Sequence, residues 1–95
     1  MQIRWQDDAI NDLIQIRRFI ALDNPSAAAR VANRTRKAVP EIAHQPGIGR
    51  SGRIPGTRER VLVDIPYIIA YRVEENTVVI LRVLHTSRKW PDTIK

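Results

Sequence analysis

An α+β fold in the order β-α-α-β-β-β, with a helical hairpin packed on a small antiparallel sheet, follows from three features of this 95-residue chain. Two stretches with helical hydrophobic periodicity fill the first half, with the turn signal Asp23-Asn24-Pro25-Ser26 between them. Three β-branched runs fill the second half, joined by short links that favour an antiparallel meander. A short alternating stretch, Ile3-Arg4-Trp5-Gln6, precedes the first helix and reads as an opening strand. The length suits one domain over residues 1–95, and no repeat, low-complexity segment or linker divides it.

Each element has a local reason. Ala9, Leu13, Ile16 and Ile20 lie on one face of a helix over about residues 8–22, and Ile10, Ile14 and Phe19 widen that face. Asp7 or Asp8 can cap it, and acids in a first turn suit the helix dipole. Asn24 as N-cap and Pro25 as first helical residue open a second helix. Ala28, Val31, Thr35, Ala38 and Ile42 form its inner face. Pro40 lacks a backbone donor, so a kink or an early end near Val39 is expected. Residues 45–55 read as loop. Strands are expected at 57–64, 67–73 and 77–85, the last two joined through Glu74-Glu75-Asn76. Val61 and Val63 mark the core face of the first of these strands, which sends Arg58 and Arg60 to the other, partly open, side of the sheet.

Charge is the strongest functional cue. The net charge is +6, arginine dominates the sixteen basic residues, and the excess is concentrated in the second half. Arginine favours bidentate contacts to phosphate or carboxylate, so the expected partner is anionic. Arg50 and Arg53 sit in the Gly-rich loop, Arg58, Arg60, Arg72 and Arg82 in the strands, and Arg88 and Lys89 beside Trp90 in the tail. If register allows, the four strand arginines converge on one side; otherwise each turns to an edge and serves solubility. Trp90 could stack on a base or cover an edge of the core.

Other chemistries find little support. The chain has no cysteine and only two histidines, His44 and His85, so no metal signature or other cofactor is expected. His85, at the end of the last strand, is the only acid–base candidate; the plainer reading is a hydrogen-bonded structural histidine. No apolar run is long enough to span a membrane, and the first residues carry acids rather than a signal-peptide core, so a cytoplasmic protein is expected.

Beyond these readings, the chain resembles the toxins of the RelE/ParE superfamily from bacterial type II toxin–antitoxin modules. The resemblance is carried by Trp5, Asp12-Leu13 with Ile16, Asn24-Pro25, Gly49-Arg50 with Gly52-Arg53, Pro55-Gly56-Thr57-Arg58-Glu59, Pro66-Tyr67-Ile68-Ile69 with Tyr71-Arg72-Val73, and Val83-Leu84-His85 with Arg88 and Trp90-Pro91. It implies a cognate antitoxin in a toxin–antitoxin hetero-oligomer, with an acidic, partly apolar antitoxin segment over the groove between hairpin and sheet.

The resemblance also implies one of two targets. RelE-like members cut mRNA on the ribosome, using basic residues for phosphate and a Tyr, His or Glu for proton transfer. ParE-like members poison DNA gyrase and need no catalytic group. No tyrosine follows Tyr71, and the ending Val83-Leu84-His85-x-x-Arg88 is closer to ParE-like sequences, which favours gyrase. On that reading Arg50, Arg53, Arg88, Lys89 and Trp90 are the expected contacts. On the RNase reading, Arg58, Arg60 and Arg82 hold phosphate and His85 is catalytic. A small basic nucleic-acid-binding module, with salt-dependent binding to generic DNA or RNA, is the third reading.

Overall fold

A computed structural model of the chain describes residues 1–87, 90, 91 and 93. The elements are β1 (Gln2–Trp5), α1 (Asp7–Ala21), α2 (Pro25–His44), a 3-10 turn (Pro46–Ile48), β2 (Arg50–Ser51), β3 (Arg58–Leu62), β4 (Tyr67–Glu74) and β5 (Thr77–His85). The five strands form one sheet in the order β1-β5-β4-β3-β2. β2 to β5 pair antiparallel, as the short links require, whereas β1 lies parallel to β5 and makes the sheet mixed. A parallel neighbour needs a long crossover, and the hairpin between β1 and the rest of the sheet supplies it.

The helices form where expected. α1 starts after Gln6 without a side-chain cap, with Asp7 and Asp8 in its first turn. Asn24 caps α2 by accepting the Ala27 N–H at 3.1 Å. The early end near Val39 does not occur, because α2 runs through Pro40 to His44. Pro40 and Arg36, whose carbonyl loses its intrahelical donor, both face solvent, where water can serve that carbonyl. Ala38, Val39, Ile42 and Ala43 around the proline are buried, so packing outweighs one lost bond.

The core lies between the hairpin and one face of the sheet. Ala9, Val31, Ala38, Val39 and Ile42 from the helices meet Leu62, Tyr67, Ile69, Tyr71, Val78, Ile80 and Val83 from the strands. Trp5, Ile16 and Ile20 pack against this cluster. Ile10, Ile14 and Phe19, expected to extend the helix's inner face, are instead exposed.

Register corrects two expectations. Arg58, Arg60 and Leu62 stand opposite Tyr71, Ile69 and Tyr67, so they share the helix-facing side. Val61 stands opposite Ile68 on the second face, and Val63 is 92% exposed beyond the strand end. Leu62 anchors the core instead, because a one-residue shift of register exchanges the faces of a strand. The second face is also not open: Ile68, Ala70 and Val79 are buried. In β5, a bulge after Ile80 makes Leu81 an extra residue, so Ile80 and Val83 both face the helices.

Candidate functional site

The second face of the sheet carries the arrangement with the clearest functional geometry. Arg50 and Glu59 pair in register across β2 and β3, and Ala70 continues the row. The Glu59 side chain is only 3% exposed. Its Oε1 accepts from Arg50 Nη2 at 2.9 Å and Nε at 3.2 Å. Its Oε2 accepts the Arg53 backbone N–H at 2.8 Å and lies 3.5 Å from Arg53 Nε. Both arginine side chains remain about half exposed.

Glycines make this geometry possible. A Cβ on Gly49 would lie 2.6 Å from the Tyr71 hydroxyl oxygen, and one on Gly52 would lie 2.1 Å from Thr57 Oγ1. The buried Tyr71 hydroxyl donates to the Pro46 carbonyl at 2.6 Å and accepts the Gly49 N–H at 2.9 Å, which ties the segment entering Arg50 to the core.

The tail joins the same surface. The Arg53 guanidinium carbon lies 3.5 Å from the centroid of the Trp90 ring, a cation–π stack. Trp90 Nε1–H donates to the His85 carbonyl at 3.3 Å, and the side chain is buried. Arg88 and Lys89 lie outside the described residues.

The four strand arginines do not converge. Arg58 and Arg60 are on the helix side, where Arg58 Nη1 donates to the Gly49 carbonyl at 2.9 Å. The Nε of Arg60 is buried without a partner among the described residues. Arg72 shares Glu74 with Arg4 on the second face. Arg82 donates to both oxygens of Asp12 in α1, at 2.6 and 2.8 Å, and that hydrogen-bonded carboxylate holds its guanidinium pKa above the ordinary value. Asp12 also accepts the Val83 N–H at 2.9 Å, so α1 closes the β5 edge beyond the end of β1.

His85 stands edge-on to Tyr67, with ring centroids 5.2 Å apart. Its Nδ1 accepts the Ser87 backbone N–H at 3.1 Å, which places the proton of the neutral ring on Nε2. The ring lines a cleft of about 320 Å³ with Asp12, Phe19, Tyr67, Arg82 and Trp90.

Sequence comparison agrees with the fold. Residues 3–90 match the family described as the ParE toxin of type II toxin–antitoxin systems, parDE. This chain belongs to the ParE toxin family. Y4kP of Sinorhizobium fredii, described as a toxin, is 47% identical over 98% of this chain and 96% of its own length. Toxin RelE2 of Caulobacter vibrioides is 36% identical over 92% of this chain and 97% of its own length. A solved chain of the chromosomal ParDE TA system from P. aeruginosa superposes with a TM-score of 0.81 at 26% identity, covering 92% of this chain and 97% of the other.

In this ParE-family toxin, Glu59 and Tyr71 organise the Arg50–Arg53 surface and Asp12 occupies Arg82 at the β5 edge, and none of the three stands out as a site residue from its sequence position. The signal for Glu59 was a single acid between Arg58 and Arg60, and it turns to the opposite face from both. Burial by itself would push the Glu59 carboxyl up. The Arg53 backbone N–H, the Arg50 hydrogen bonds and the attraction of both guanidinium groups outweigh burial and hold it below its ordinary value of 4.5.

A group with a depressed folded pKa stabilises the fold above its unfolded value, and that contribution is lost as pH falls through the folded value. Glu59→Gln is therefore expected to be less stable than the native protein at neutral pH, and the gap should narrow as the pH drops below 4.5. Denaturant midpoints across that range check it; a gap of constant size would contradict ionised pairing.

Proposed function

We propose that this ParE-family toxin arrests bacterial growth by inhibiting DNA gyrase, and that a cognate antitoxin neutralises it. The observation that carries the reading is the state of the acids and bases beside the basic surface. Glu59 is committed to Arg50 and Arg53, and Asp12 to Arg82 and Val83. Glu59, held by several donors with its pKa lowered, is a poor general base. Gyrase inhibition asks for something else: a complementary surface with exposed guanidinium groups, and the half-exposed Arg50 and Arg53 side chains, the latter stacked on Trp90, support that reading.

The ParDE neighbour supports the antitoxin. Against a chain of net charge +6, the neutralising segment is expected to be acidic and partly apolar. Arg58 and Arg60, which share the helix-facing side of β3, offer such a segment positive charge beside the hairpin.

Ribosome-dependent mRNA cleavage is the second reading, favoured by one observation: the proton-bearing Nε2 of His85 is not the nitrogen held by Ser87, and the ring lines a cleft. Controlled expression in a bacterium with an SOS reporter, with methionine incorporation followed in the same culture, separates the two. Growth arrest with SOS induction and continuing translation is the expected result. Immediate loss of translation with a silent reporter would replace gyrase with mRNA as the target.

A further inference from the structure

One buried carboxylate holds the Arg50–Arg53 stretch, and through Arg53 that stretch reaches the tail. Arg50 belongs to β2, Arg53 to the loop after it, and Trp90 to the tail, thirty-one residues after Glu59. Glu59 binds the first directly and the second through both its backbone N–H and its guanidinium, and the second stacks on the third. We infer that Glu59 is a positioning residue, which holds Arg50, Arg53 and, through Arg53, the Trp90 ring as one preformed surface for engaging the toxin's target. The inference rests on the reading above that this surface touches the target.

The physical argument concerns order rather than contact. Arginine side chains carry large rotamer entropy, and a partner that binds them must bear the cost of fixing them unless the fold has already done so. Here the fold has done so. One carboxylate oxygen takes two N–H groups of Arg50, and the other takes the Arg53 backbone N–H and lies 3.5 Å from its Nε, so both guanidinium groups are held before a partner arrives. Without the negative charge, two neighbouring guanidinium groups on a chain of net charge +6 repel. Arg53 then loses the orientation that stacks it on Trp90, and Trp90 loses the cover of that guanidinium while keeping its 3.3 Å bond to the His85 carbonyl. Loosening reaches the tail through Arg53, although Glu59 itself is buried away from any partner.

Two variants test this, Glu59→Gln and Arg53→Lys, both in a Trp5→Phe background that leaves Trp90 as the only tryptophan. Arg53→Lys keeps the charge and the backbone bond to Glu59 and removes the planar stack. Acrylamide quenching of Trp90 reads the tail, thermal melting reads the fold, and the inducer dose that arrests growth reads toxicity whatever the target. Wild-type inhibition of gyrase supercoiling is measured separately and bears only on the choice of target.

The expected result is a cooperative melt for Arg53→Lys, quenching that rises about twofold in both variants, and a toxic dose that rises about tenfold in both. Unchanged quenching in the two variants would overturn the inference, because Glu59 would then act on the fold alone. Raised quenching with undiminished toxicity would overturn it as well, because the preformed surface would not serve the target. Should Glu59→Gln fail to fold, Arg53→Lys decides by the same two readouts.

Discussion

Replacing Tyr71 with Phe lowers the unfolding free energy by about 3 kcal/mol, the sum of two lost hydrogen bonds and a buried donor left unpaired. The ring still fills its place among Ile69, Ile80 and the α2 residues, so the loss is that of the hydroxyl alone. That hydroxyl bridges the Pro46 carbonyl and the Gly49 N–H, and both belong to the segment that carries the chain from α2 into β2. The Gly49 N–H is buried, and a phenylalanine offers it nothing. For a domain of this length the fall in melting temperature is on the order of 10–20 °C. Gly49→Ala is expected to cost a comparable amount from the other side of the bond, because its Cβ would sit 2.6 Å from the tyrosine oxygen. A loss below about 1 kcal/mol for Tyr71→Phe, measured by denaturant unfolding, would mean that water replaces the hydroxyl and that the loop is not tied to the core as described.

Asp12→Ala has the second large effect, about 3 kcal/mol, because it strands a cation and a backbone donor together. The Asp12 and Arg82 side chains are 14% and 23% exposed, so their pairing is only partly screened by water. The Val83 N–H lies on the edge of β5 that β1 is too short to cover, and Asp12 is its acceptor. Asp12→Asn keeps one oxygen for that N–H and loses the bidentate ion pair, so it should cost less than the alanine variant. Equal costs for the two would show that the ion pair, and not the strand edge, carries the interaction. Chemical denaturation of both variants at neutral pH makes the comparison.

These two residues show what was legible in the sequence and what was not. The helical hairpin was legible because its signals are local: the 4-3-4 spacing of Ala9, Leu13, Ile16 and Ile20, and the Asn24-Pro25 start of α2. The antiparallel order of the last three strands followed from short links. The parallel pairing of β1 with β5 had no local signal, since it depends on where the hairpin returns the chain. The faces of β3 were misassigned because Val61 and Val63 looked more apolar than their neighbours, whereas tertiary register selects Leu62 and puts Arg58 and Arg60 over the helix side. The extra residue at Leu81 then breaks the alternation that a regular β5 would have kept.

The basic surface was half legible. Arg50 and Arg53 in the loop and Trp90 in the tail stand out by residue type, and Glu59 and the Arg53–Trp90 stack bring them together. Arg82 was named for its charge, but a partner seventy residues earlier in the chain occupies it. The organising role of Glu59 could not be read from its position, because the arginines nearest in sequence are not the ones it binds.

The proposed action of this ParE-family toxin on gyrase works through its surface and without a catalytic group. The most direct measurement adds the purified chain to purified gyrase, relaxed plasmid and ATP and follows supercoiling and enzyme-linked DNA breaks. Dose-dependent loss of supercoiling with accumulation of breaks, both reversed by an antitoxin that binds the chain, is the expected result. Full supercoiling at a large excess of toxin, together with cleavage of mRNA when purified ribosomes are supplied, would contradict it.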